Sequence, residues 1–261
     1  MSLKFDCRTF CDHAAHGRLA LVQEMLELAS GELPVNGNLN DALVRAAENG
    51  HVDVVDYLLR HAMFDPSANG NRAIRQAAEH GHLAVVERLL QDPRVDPSVN
   101  DNDAVRGAAC YGRLAVVERL LQDKRVDPSA NVNYAVRYAS RNGHLAVVER
   151  LLQDKRVDPS ANDNYAVGRA EFYGCRAVVD RLLEDDRVDV AVAIRSSRPA
   201  DRKRFECRER LTEICIALQD LELPAWVTVQ ILDAARPWST LPLHSKWSLV
   251  CAVKHFQDKK Q

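Results

Sequence analysis

Residues 81–90 read Gly-His-Leu-Ala-Val-Val-Glu-Arg-Leu-Leu, and near-copies of this run recur along most of the chain. Gly50, Gly81, Gly112, Gly143 and Gly174, which open the copies, are spaced 31 residues apart, and Gly17 stands 33 residues before Gly50. A fixed period of this size predicts stacked units rather than one globular core. Outward from Gly81, apolar residues at 73, 74, 77 and 78 and at 85, 86, 89 and 90 follow a helical period, so each unit is two short helices. Asn71, matched by Asn40, Asn102, Asn133 and Asn164, is expected to cap the first helix through its side-chain oxygen. Gly81 sits where that helix must stop and reverse, which calls for positive φ without a Cβ clash. Asp-Pro-Ser at 65–67, 96–98, 127–129 and 158–160 fits a type I turn with Pro at its second position. Six units are expected, at about 5–37, 38–69, 70–100, 101–131, 132–162 and 163–193. In the divergent first unit Phe10, Leu21, Val22, Met25 and Leu26 hold the core register, and in the last Glu171 replaces a small residue.

The Ala-Ala-x-x-Gly-His-x-x-Val-Val-x-x-Leu-Leu core stands at 46–59 and 77–90, with small deviations at 108–121, 139–152 and 170–183. It resembles the ankyrin repeat, over roughly residues 5 to 193. The unit departs from the family in opening on Asn rather than Thr-Pro-Leu-His, and in being two residues shorter than the usual 33. That shortening bears on the family's protruding β-hairpin finger and leaves the helix pair intact. The resemblance implies an all-α, right-handed helix-turn-helix solenoid of about six repeats. It also implies non-catalytic recognition of a partner protein on the concave face, since a solenoid offers an extended surface.

Net charge is −2, with 46% hydrophobic and 28% charged residues, which gives no footprint for nucleic acid or membrane and fits a monomer. Seven cysteines without framework spacing read as reduced thiols of the cytoplasm or nucleus. With no amino-terminal apolar segment and no run of 18 apolar residues, neither secretion nor membrane spanning is expected.

Residues 195–206 are polar and mark a junction; Trp226, Trp238 and Trp247 all lie beyond it. Three helical patterns over 207–261 predict a C-terminal three-helix cap. Leu223, Pro224, Val227 and Ile231 lie in a string that resembles the opening of F-box modules. Leu211 and Cys215 resemble the elongin-binding helix of SOCS boxes, although Arg210 and Gln219 depart from that pattern. Two readings stand side by side here: a plain cap, or a box that docks a ubiquitin-ligase adaptor while the repeats choose the substrate.

Because the units are close to copies, positions that vary between them point to a partner. The residues before each glycine change completely, from Glu48 and Asn49 through Glu79 and His80 and Cys110 and Tyr111 to Arg141 and Asn142 and Phe172 and Tyr173. The residue after the capping Asn varies too: Asp41, Arg72, Asp103, Tyr134 and Tyr165. Glu79, His80, Asp103, Tyr111, Tyr134, Tyr138, Arg141, Asn142, Tyr165, Phe172 and Tyr173 are therefore the candidate partner-binding residues, drifting from charged to aromatic along the array. Tyr favours such surfaces because it offers large amphipathic area at low entropic cost. Against this, some rings could pack down on neighbouring units. Arg75, Arg106 and Arg137 recur once per unit; they either track an acidic partner, or satisfy loop carbonyls or pair with Asp96, Asp127 and Asp158.

No cofactor or metal site is expected. Cys7, Cys11, His13 and His16 have zinc-like spacing, but on one helix His13 lies about 200° round from Cys11, so four ligands cannot converge. His51, His82 and His144 follow the repeat register, with rings expected to bond backbone across the turn. No phosphate-binding glycine loop or nucleophile–base grouping is present in the sequence.

Overall fold

The computed structural model describes residues 6–29 and 39–188. Among these residues there are twelve helices and no strand, arranged as six antiparallel pairs. The pairs are α1 (Cys7–Ala15) with α2 (Leu19–Leu28), α3 (Asn40–Glu48) with α4 (Val52–Leu59), and α5 (Ala68–His80) with α6 (Leu83–Leu90). They continue as α7 (Val99–Cys110) with α8 (Leu114–Leu120), α9 (Ala130–Arg141) with α10 (Leu145–Leu152), and α11 (Ala161–Phe172) with α12 (Arg176–Leu182). Odd-numbered helices pack on odd-numbered neighbours and even on even, so the array is two helical layers. The predicted helix pair is therefore observed. The β-hairpin finger is replaced by a compact turn.

The core is one small-residue layer and one branched layer. Ala77 and Ala78 and their copies Ala46 and Ala47, and Ala108 and Ala109, are buried, which lets first helices approach closely. Val85, Val86 and Leu89 and their copies are buried beneath the second helices. Leu21 is the exception in the first unit: it is 39% exposed, while Phe10 and Val22 are fully buried. The homologous Val54 has a second helix on either side, whereas α2 packs only on α4 in its layer. At the other end Glu171 is buried at the place of Ala78 and Ser140.

Gly81 ends its helix at φ 86°, as its position requires. Gly17, Gly50 and Gly112 are held by a second constraint: a Cβ on Gly112 would come within 2.5 Å of the His144 ring of the next unit, whereas one on Gly174 would meet nothing within 4 Å. The Asp-Pro-Ser turn is type I, with Ala68 N–H donating to the Asp65 carbonyl at 3.1 Å and Ser67 at φ −83°, ψ −7°.

The Asn series departs from the capping role. Asn71 is buried at φ 56°, and its Oδ1 accepts from the backbone N–H of Asp96 at 3.0 Å, 25 residues on. Asn40, Asn102 and Asn133 do the same for Asp65, Asp127 and Asp158 at 2.7–2.8 Å. The side chain thus clasps the entrance of each of these four units to its exit. In α5, α7, α9 and α11 three consecutive residues of the opening turn, such as Asn69, Gly70 and Asn71, adopt left-handed backbone. Asn and Asp tolerate that conformation, but the array also places Val132 there at φ 55°.

Two rungs join one unit to the next. His82 Nε2 donates to the carbonyl of Glu48 at 2.8 Å, and His144 Nε2 to that of Cys110 at 3.0 Å. These carbonyls close α3 and α7 and have no intrahelical partner. At the same place Arg113 Nε serves Glu79 at 3.1 Å and Cys175 Sγ serves Arg141 at 3.6 Å. The histidines therefore bond backbone of the preceding unit, 34 residues back, rather than across their own turn. The second rung is Arg94, whose fork grips Asp92 at 2.7 Å while Nη1 donates to the Phe64 carbonyl at 3.2 Å. Arg125, Arg156 and Arg187 repeat it on Val95, Val126 and Val157. Each paired carboxylate, from Asp92 to Asp185, is held below its usual pKa by its arginine.

Candidate functional site

The variable positions lie along the odd-numbered helices, one set near their starts (Asp41, Arg72, Asp103, Tyr134, Tyr165) and the other at their C-terminal ends. Arg75, Arg106 and Arg137 organise this face, because each reaches both its own left-handed turn and the residue 28 positions later. Arg75 bonds the Asp103 carboxylate, and Nη2 lies 3.4 Å from the Asn69 carbonyl. Arg106 donates to the Asn100 and Asp101 carbonyls, both at 3.0 Å, and its guanidinium lies 4.6 Å from the Tyr134 ring centroid. Arg137 donates to the Val132 carbonyl at 3.1 Å and lies 4.3 Å from the Tyr165 ring. The loop-carbonyl reading holds for the series. Asp96, Asp127 and Asp158 instead accept from Ser98, Ser129 and Ser160.

A second set of contacts extends the stack. The Tyr134 and Tyr138 rings lie parallel with centroids 3.9 Å apart. Arg141 sits between Tyr138 and Tyr173, 5.6 Å and 5.0 Å from their rings, and its Nη2 donates to the Tyr173 hydroxyl at 3.1 Å. Arg169 lies 4.8 Å from Tyr165, so that ring carries guanidiniums from two helices. Phe172 meets Tyr173 edge to face at 5.1 Å. Burial against Tyr138 pushes the Tyr134 phenol above its ordinary pKa. The result is a continuous Arg–Tyr surface on α7, α9 and α11.

Other candidates stand apart from that surface. The Tyr111 phenol, 52% exposed, hydrogen-bonds the Glu79 carboxylate, which raises its pKa. Glu79 also accepts from Gln76 at 3.2 Å, and His80 Nδ1 lies 3.0 Å from the Gln76 carbonyl. Asp103 is taken up by Arg75 and Arg106. Asn142 Nδ2 donates to the Cys110 carbonyl at 2.8 Å, a bond within the array. Leu211, Cys215, Leu223, Pro224, Val227 and Ile231 lie outside the described residues.

Arg106 and Arg137 are members of the surface that variability did not select, since Arg75, Arg106 and Arg137 do not change; Arg169 was missed although its position varies, as Gln76, Gly107 and Tyr138 in the units before it. The signal for Arg106 and Arg137 was the constant offset of 28 residues to a position that switches from Asp103 to Tyr134 and Tyr165, and for Arg169 its place one helical turn after Tyr165. Among the described residues no group of three or more His, Cys, Asp or Glu could hold a metal ion, and no helix is long and apolar enough to cross a membrane. On α1, Cys11 is buried beside Cys7, which pushes its thiol up to about 12 and makes a thiolate ligand costly.

Residues 10–103 match the family model for ankyrin repeats, in three copies. No curated protein matches the chain.

Proposed function

We propose that this chain, which carries ankyrin repeats over residues 10–103, is a non-catalytic recognition protein that holds a partner protein on its first-helix face. Ankyrin repeats are in general protein–protein interaction modules. The observation that carries the reading to α7, α9 and α11 is the Arg–Tyr surface, in which Tyr173 is about half exposed beside Arg141, with the half-exposed Tyr111 held separately by Glu79 on the same face. Pre-ordered aromatic and arginine side chains lose little freedom on binding, which is why such residues dominate interface energetics.

Replacing Tyr111 and Tyr173 together by Ala tests this in the full chain. Partners captured from a lysate by the wild type should be lost on the double variant and retained by Glu118→Ala, on the exposed side of α8. Equal capture by both variants would move the partner off this face. The adaptor-docking reading belongs to residues 207–257 and predicts that cullin-linked adaptors survive the Tyr substitutions but not Leu223→Asp with Ile231→Asp.

A further inference from the structure

Along the first-helix face the charge balance changes at one register position. Arg75 meets a carboxylate, Asp103, which also receives Arg106 at 3.4 Å. One unit later the same offset delivers Tyr134 to Arg106, and the next delivers Tyr165 to Arg137. A tyrosine ring orients a guanidinium without neutralising it. Arg137, Arg141 and Arg169 consequently make no ion pair among the described residues, although they crowd onto two adjacent helices. Elsewhere on the array one arginine per unit is matched by the aspartate two residues before it, as in Arg94–Asp92, Arg125–Asp123, Arg156–Asp154 and Arg187–Asp185. Arg8, Arg18, Arg113 and Arg176, which make no ion pair among the described residues, form no such aromatic cluster. The chain as a whole carries −2, so the cationic patch is a local departure from an acidic protein.

We infer that the partner presents an acidic segment, rich in Asp and Glu, whose carboxylates are taken by Arg137, Arg141 and Arg169; this rests on the recognition reading above. Every cation in the patch is Arg, whose planar fork suits bidentate carboxylate binding better than a lysine ammonium. Stacking on Tyr138, Tyr165 and Tyr173 holds the guanidiniums in place before the ligand arrives. The same stacking disfavours single-stranded nucleic acid, which needs open ring faces for its bases. Here Tyr134 and Tyr138 cover each other, and guanidiniums occupy both Tyr165 and Tyr173.

Selection of a random peptide phage library on the full-length protein distinguishes the outcomes. Enriched peptides should be acidic, should weaken as salt rises, and should bind at least about tenfold more weakly to the Arg137→Gln, Arg141→Gln, Arg169→Gln triple variant. The three arginines are half-buried and lie outside the buried apolar layers, and an unchanged circular-dichroism melt would establish that the variant is folded. A destabilised triple variant is replaced by the three single ones. Enriched peptides that are not acidic, and that depend on Tyr111 and Tyr173 but not on the arginines, would overturn the acidic segment and leave recognition by this face standing. Peptides indifferent to both sets, or no enrichment over an unrelated bait, would overturn both. Binding of a labelled 20-mer of thymidylate that is lost on the triple variant would overturn the acidic segment in favour of nucleic acid.

Discussion

Single residues in this array are constrained by backbone conformation as much as by contacts. Gly112 has φ 72°, and the His144 ring occupies the space a Cβ would need. Gly112→Ala is expected to destabilise by about 1–3 kcal/mol in urea denaturation. Gly107 differs: its nearest neighbour to an added Cβ, on Glu79, is at 3.7 Å, and it lies inside a helix. Gly107→Ala should therefore be neutral or stabilise by about 0.5–1 kcal/mol, and a loss matching Gly112→Ala would contradict the distinction. Val132 is the counterpart case. It is 57% exposed and left-handed where the other units have Gly70, Asp101 and Asp163. Val132→Asn should raise the melting temperature, by relieving about 1 kcal/mol of backbone strain. A lower melting temperature would show that the valine side chain contributes more than its conformation costs.

At the scale of the element, the four middle helix pairs are each closed by an Asn bond that spans them. Asn102 is buried and accepts from Asp127 N–H at 2.8 Å. Asn102→Ala leaves that donor unsatisfied and should cost about 1–3 kcal/mol, with Asn102→Asp losing less because it keeps the acceptor. Val147 lies fully within the second-helix layer at 1% exposure. Val147→Asp places an unpaired charge there and should abolish the cooperative melt of the middle units, read by hydrogen exchange of α9 and α10. Native protection in those helices would mean that the second-helix face is misassigned. Tyr111→Ala and Tyr173→Ala should leave the same protection unchanged, since both rings lie outside the buried layers.

Over the whole array, stability is the sum of unit and interface contributions, so the repeated rungs set its response to pH. Asp92, Asp123, Asp154 and Asp185 are each held below the ordinary carboxylate pKa, foremost by a hydrogen bond from the arginine two residues on. A lowered folded-state pKa contributes stability above the unfolded value, about 3.9, and loses it as pH falls through the folded values. Melting temperature should vary little from about pH 7 to 5 on this account and fall below about pH 4. A variant with Gln at 94, 125, 156 and 187 should melt lower at neutral pH, and its difference from wild type should shrink on acidification. A difference that stays constant would remove the Asp–Arg forks as the cause.

The helix pairs, their glycine stops, the type I turns and the buried Ala-Ala and Val-Val positions were legible in the amino-acid sequence by itself. Those features depend on backbone propensity and on side-chain spacing within about one helical turn, and the repeat states them several times over. The tertiary structure alone decided that Asn71 clasps Asp96 rather than capping its helix, and that His82 serves Glu48 in the preceding unit. It also decided that Arg137 and Arg169 close on one tyrosine from two helices. These contacts join residues 25 to 34 positions apart, or side chains on successive first helices. Their geometry comes from how one unit is set against the next. That placement follows from packing whole layers of side chains, and no local pattern of residues encodes it.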